Sequence, residues 1–244
     1  MKLDRPEVMN AINPPMHGEM QAAIDAFAAD EVQRILVITG SGERAFCAGS
    51  DLKWAAAGDI GVYPKDGYGG LIERYDLDKP IIAAVNGVSL GGGFEIALAC
   101  DLIIASENAV FGLPEPRVGA VALGGGIHRL ARQIGLKRAM GMLLACKRLS
   151  ASDGYELGLV NEVVPPARLR AAVERWCEEI LLGAPLSIRA SKQSAMRGLD
   201  EPSLASAISG QSDYPAFIAW RNAEDTREGP TAFAEKRSPV WKGR

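Results

Sequence analysis

Two glutamates twenty positions apart, Glu95 and Glu115, each occupy an apolar stretch just after glycine or proline. Glu95 follows Gly92-Gly93-Phe94, and Glu115 sits within Phe111-Gly-Leu-Pro-Glu-Pro116. Taken singly, a glutamate in the first turn of a helix does no more than complement the helix dipole. The segment Phe46-Cys-Ala-Gly-Ser50-Asp51-Leu52 gives the pair a shared purpose. A glycine-rich turn into a helix exposes backbone N–H groups, and two such turns can aim donors at a single oxygen. Two carboxyls beside two such donors are what acid–base chemistry through an enolate requires.

Two other motifs compete. Gly87-Val-Ser89-Leu-Gly91 has the form GxSxG, with Asp101 and His128 following in the order of a serine hydrolase. Asp101 opens an expected strand, however, and His128 lies inside an expected helix. No oxyanion loop precedes Ser89, which reads better as a small turn residue. Gly40-Ser-Gly-Glu-Arg-Ala45 fits a dinucleotide fingerprint in form. The fingerprint needs a helix at that point, whereas Arg44 to Gly49 looks extended, so a plain turn is expected. The two histidines, His17 and His128, have no carboxylate partners at ligand spacing, and no metal site is expected.

The elements that must carry these residues alternate. Met16, Met20, Ile24 and Phe27 mark an amphipathic helix over 16–30, and Arg34 to Thr39 reads as a buried strand closed by Gly40. The stretch 55–78 lacks periodicity and is expected as a loop of the kind that carries function. Strands are predicted at 80–86 and 101–105, with a helix from Phe94 to Cys100 and another opened by Gly124-Gly125-Gly126. This alternation implies parallel strands with helices packed outside. From Pro166 onward only helices are predicted, over 167–182, 185–198 and 202–223.

The chain has 244 residues, 48% hydrophobic and 23% charged, enough to bury a core without disulfide staples. Its net charge of −3, with Lys and Arg scattered, argues against a nucleic-acid partner. Cys47, Cys100, Cys146 and Cys177 show no CxxC pair and are expected as buried thiols of a reducing compartment. No run of 18 apolar residues and no signal-peptide pattern is evident, so a cytoplasmic protein without a membrane partner is expected.

At its functional motifs the sequence resembles the crotonase, or enoyl-CoA hydratase, superfamily. The likeness rests on Phe46 to Asp51, Pro80 to Gly87, Gly91 to Asp101 and Phe111 to Glu115. It continues through Ala151 to Val160 and Glu228 to Arg237, covering nearly the whole chain. The ending Phe233 to Arg244, and the block from Gly92 to Ala99, most resemble the carnitinyl-CoA dehydratase branch. The resemblance implies an α/β fold: a crotonase-like ββα spiral core over 1–185 and a C-terminal all-helical trimerisation region over 186–244. It further implies a homotrimer or dimer of trimers.

By the same resemblance, Glu95 and Glu115 are the catalytic carboxylates, and the N–H groups of Ser50 and Gly92 form the oxyanion hole. Ala48, Gly49, Asp51 and Leu52 would lie along coenzyme A, while Phe233 and Lys236 would reach the coenzyme A of a neighbouring subunit. The implied reaction is reversible syn addition of water to a 2-enoyl-CoA, with no cofactor beyond the coenzyme A of the substrate. The helix start should favour an ionised Glu95, and Leu113 with two prolines should desolvate Glu115. An isomerase or thioester hydrolase is the alternative within the superfamily. Outside it, the alternatives are a GxSxG esterase and a non-catalytic acyl-CoA binder.

Two features depart from the family pattern. The sequence starts two residues before Leu3, where relatives usually have a strand hairpin, and Ala122-Leu123-Gly124 is unusually apolar. For a cationic acyl group, Trp54, Tyr63, Tyr68 and Tyr75, interleaved with Asp59, Asp66 and Glu73, could build an aromatic cage. The same rings could equally cover a neutral chain.

Overall fold

The computed structural model describes residues 1–56 and 63–244, which divide into two compact units. The first comprises Met1–Arg74 and Ile81–Glu174; the second comprises Tyr75–Pro80 and Arg175–Arg244. The first unit opens with β1 (Lys2–Leu3) and α1 (Pro14–Ala29). The Asn13 side chain caps α1 by accepting the Met16 N–H, and Met16, Met20, Ile24 and Phe27 form its buried stripe.

A strand, strand, helix pattern then repeats three times. The repeats are β2 (Leu36–Gly40), β3 (Ala45–Cys47) and α2 (Leu52–Ala56); β4 (Ile81–Val85), β5 (Val88–Leu90) and α3 (Gly92–Ala99); and β6 (Leu102–Ser106), β7 (Val110–Gly112) and α4 (Gly126–Ile134). After them come α5 (Leu136–Ala145), β8 (Leu149–Ser150), α6 (Ala151–Glu156) and β9 (Glu162–Val164), and α7 (Leu169–Leu181) leads into the second unit.

The first strand of each repeat joins one sheet, in the order β1-β2-β4-β6-β9, parallel throughout. The second strands join another, β3-β5-β7-β8, parallel except where β8 meets β7. This is the ββα spiral that the resemblance implied. Every residue of β4 is buried, as a parallel strand covered on both faces demands, which explains its unbroken apolar sequence.

The links inside the repeats are tight. A Cβ at Gly87 would collide with the Arg44 carbonyl, so the turn from β4 to β5 tolerates only glycine there. The Asn86 amide donates to the Gly42 and Ala45 carbonyls and that of buried Asn10 to Ser41 and Ala45, stitching the turn from β2 to β3. That turn leads into a strand instead of a helix, which removes the dinucleotide reading. Ser89 is likewise buried inside β5, Asp101 pins the Ile81 N–H at 2.7 Å, and His128 is exposed on α4, so the hydrolase reading fails.

The second unit is helical. It holds the end of α7 and α8 (Pro185–Gly198), α9 (Leu204–Gly210), α10 (Pro215–Arg221) and α11 (Asp225–Ala234). The single helix expected over 202–223 is broken, because Pro215 has no N–H to donate and restricts Tyr214 to an extended backbone. Gln193 of α8 accepts the Ala216 N–H and so serves the start of α10. Cys47 and Cys100 are buried as expected, but Cys146 and Cys177 are only half-buried. The Asp225 carboxylate receives the Lys242 and Gly243 N–H groups, which ties down the end of the chain.

Candidate active site

The parallel pairing of β3, β5 and β7 brings together residues that lie far apart in sequence. Their carboxyl ends lie side by side, so the segments after them meet: 48–52 after β3, 91–95 after β5 and 113–115 after β7. In parallel sheets this edge is where ligands are commonly held. Gly49 (φ +94°) lies close against the next turn, its Cβ position 3.2 Å from the Gly92 nitrogen and 2.9 Å from the Leu90 carbonyl. A side chain on Gly49 would therefore push the Ser50 and Gly92 peptides apart. Gly92 is the first residue of α3 and has no intrahelical acceptor for its N–H. Among the described residues, neither the Ser50 nor the Gly92 N–H finds an acceptor.

Glu95 lies in the first turn of α3 and is 3% exposed. Its carboxyl rests in a cradle of small residues at the start of α4, and a Cβ on Gly124 or Gly126 would run into it. The Gly126 N–H donates to Oε1 at 2.8 Å. Sequence reasoning expected the helix start to keep this group ionised; burial wins instead. Desolvation, with the nearby charge of Glu115, pushes the Glu95 carboxyl up to about 7 against the opposing pull of the Gly126 and Gly124 N–H groups and Arg129.

Glu115 begins a short 3-10 turn after β7. Burial raises its carboxyl as well, in the direction expected. Its Oε1 lies 3.3 Å from where a Cβ of Gly91 would stand, and Oε2 is buried with no partner among the described residues. The two carboxyls and the two unengaged N–H groups thus line the same three turns.

The remaining expected residues divide between the units. Ala48 is tied to Met9 through its N–H, and Leu52 is exposed at the head of α2. The Asp51 carboxylate is buried, 3.0 Å from Arg5. Phe233, 86% exposed, and Lys236, left-handed at φ +55°, belong to the second unit. Leu123 is exposed and Ala122 buried. Of the rings considered for a cage, Tyr63 and Tyr68 meet at 5.5 Å, Trp54 is exposed on α2 and Tyr75 belongs to the second unit. Asp66 is committed to Gln21 and Arg74, and Asp59 lies outside the described residues.

Sequence reasoning missed the part played by His17 and Tyr68. His17 receives the Gly69 N–H on Nδ1 at 3.0 Å and packs edge-on against Tyr68 and Tyr63, at 4.7 and 5.4 Å between ring centroids. Burial drops the imidazole to about 4, so it is neutral at physiological pH, as an Nδ1 acceptor must be. The signal was present in the run Gly67-Tyr68-Gly69-Gly70, a single ring held between glycines.

Known proteins resemble this chain along its whole length. The family described as enoyl-CoA hydratase/isomerase matches residues 1–244. A carnitinyl-CoA dehydratase of Proteus mirabilis (strain HI4320) is 42% identical over 248 residues, covering 99% of this chain and 94% of that one. One from Salmonella typhi is 41% identical, with 99% and 94% covered. Among solved structures, an enoyl-CoA hydratase from Mycobacterium tuberculosis H37Rv superposes with a TM-score of 0.92 at 36% identity, covering 100% of this chain and 94% of that one.

The raised Glu95 pKa makes a stability prediction. A carboxyl at about 7 in the fold and 4.5 when unfolded retains its proton longer in the native state, so folding loses stability as pH rises from 4.5 to 7. Above that range the buried charge costs about 3 kcal/mol. Glu95→Gln removes this cost. In denaturant titrations the variant should match the parent near pH 4.5 and exceed it at pH 8 by up to about 3 kcal/mol. A parent more stable than the variant at pH 8 would refute the buried-charge account.

Proposed function

Because the chain belongs to the enoyl-CoA hydratase/isomerase family, we propose that it is a hydro-lyase adding water reversibly to the double bond of a 2-enoyl-CoA thioester. The observation that carries this reading is the Glu115 carboxyl, whose Oε1 lies against Gly91 and whose Oε2 is buried with no partner among the described residues, on the same set of turns as the Gly92 N–H. A carboxyl whose proton is not shared with another side chain can give it to a carbon.

The thioester oxygen would accept the Ser50 and Gly92 N–H groups. Negative charge grows there as water attacks C3, and a preorganised donor at such a place is worth about 3 kcal/mol. Glu95, near 7, takes the proton of the attacking water; the electron pair of the double bond moves toward the thioester; and Glu115 delivers its proton to C2. One water has then been added and both carboxyls have exchanged roles. Dehydration runs the same steps backward. The chemistry requires no metal or redox step, and coenzyme A enters with the substrate, along Ala48 to Leu52.

The acyl group is read from the relatives. The carnitinyl-CoA dehydratases at 41–42% identity favour a substrate of that kind over a plain enoyl chain. We further infer that the helical region forms subunit contacts in a trimer or dimer of trimers and that Phe233 and Lys236 reach a neighbour's coenzyme A. Leu204 and Ile208 of α9 and Phe233 of α11 are all exposed in the isolated chain, which supports that role. No helix among the described residues is long and apolar enough to cross a membrane, which fits a cytoplasmic setting.

Glu95→Gln and Glu115→Gln should each lower kcat at least about a hundredfold while acyl-CoA binding survives, and Ser89→Ala should do little. For the parent, kcat/KM of hydration should fall about tenfold per pH unit below 7 as Glu95 is protonated. Assays on crotonyl-CoA and crotonobetainyl-CoA in parallel decide the acyl group: a preference for the neutral ester above about tenfold, roughly 1.4 kcal/mol, eliminates the carnitinyl assignment. Fast Gln variants with a dead Ser89→Ala would replace the hydratase reading altogether. Sedimentation should give three or six chains, and removal of residues after Arg197 should leave inactive material; a fully active truncated monomer would defeat the subunit assignment.

A further inference from the structure

The turn Gly67-Tyr68-Gly69-Gly70 is shaped by three glycines at positive φ, +76°, +65° and +64°. None of them could be replaced easily. A Cβ on Gly67 would lie 2.7 Å from Ile72, one on Gly69 2.9 Å from Met20, and one on Gly70 2.6 Å from the Gln21 backbone. The turn is thus pressed against α1, and the Gly69 N–H is spent on His17. What it presents is a single side chain, Tyr68, which is 3% exposed.

The far end of that side chain touches both residues that carry the proposed N–H donors. Its hydroxyl lies 3.1 Å from the Ser50 Oγ, and its ring tip and hydroxyl fill the space where a Cβ of Gly92 would stand. Gly92 is therefore glycine because Tyr68 occupies its side-chain position. The ring in turn is wedged by His17 and Tyr63.

We propose that Tyr68 is a positioning residue of the oxyanion hole, its hydroxyl holding Ser50 and its ring tip, packed on Gly92, setting the gap between the two N–H donors. The inference rests on the assignment of those donors to the thioester oxygen. It gives the His17, Tyr63 and Tyr68 cluster a task beyond packing. A rigid spacer matters because donors lose most of their effect when displaced from where the charge develops.

Tyr68→Phe tests this cleanly, since the ring, its stacking and its contact with Gly92 survive and only the hydroxyl is lost. Its kcat should fall about tenfold with KM within about twofold and the melting temperature nearly unchanged. Ser50→Ala, which keeps the Ser50 N–H, should act similarly, and the double variant should be no slower than the slower single one. The carbonyl stretch of unreactive butyryl-CoA, carbon-13 labelled at the thioester, should drop in frequency on binding to the parent and drop less with Tyr68→Phe.

A parent-like kcat and carbonyl shift in Tyr68→Phe would overturn the proposal, and so would additive effects of the two substitutions. A parent that is active but does not shift the carbonyl would instead overturn the donor assignment beneath it. A parent that hydrates no enoyl-CoA would overturn the function itself.

Discussion

The cost of removing a carboxylate from water governs the design of this site. Glu95 is buried, and the donors that offset its charge are backbone N–H groups, which reach it only if the chain comes very close. That requirement explains the glycines. Gly124 and Gly126 admit the carboxyl, Gly49 admits the neighbouring turn, and Gly92 admits a tyrosine. Each of these positions gives up a side chain so that another group can come into close contact with the backbone. The result is a carboxyl balanced near neutrality, the condition in which one group can serve as base and acid in turn.

The second carboxyl is held differently. Glu115 keeps one oxygen without a partner among the described residues, and burial lifts its affinity for the proton. The two glutamates are not equivalent: one is cradled by the start of a helix and bonded to its N–H groups, the other is buried without such a donor on Oε2 among the described residues. Their separation by a full ββα repeat gives each its own environment on neighbouring strands.

Much of this was legible in the sequence, and the parts that were not have physical reasons. Unbroken apolar runs such as Ile81 to Val85 announce parallel strands buried on both faces, and the two glutamates singled out beside glycine turns do follow neighbouring strands of one sheet. The second strand of each repeat, three residues long, carries too little periodicity to read. The ionisation of Glu95 was misjudged because the dipole of its own helix is visible locally, whereas its burial is made by residues thirty positions later. His17 looked solitary for the same reason, since its partners Gly69 and Tyr68 come to it only through the packing of a turn on α1. The break at Pro215 was available from the residue type alone.

The spiral also fixes where the chain can gain or lose residues. The link between β4 and β5 has only Asn86 and Gly87, and that between β6 and β7 runs from Glu107 to Ala109. Lengthening either would shift one of the short strands against its neighbours and carry a donor or a carboxyl out of line. The passage from α2 to β4 is not paired into either sheet, yet its turn from Gly67 to Gly70 is fixed just as closely by packing on α1. The spacing of donors and carboxyls is therefore carried by the short links, where a single added residue would be felt on neighbouring strands at once.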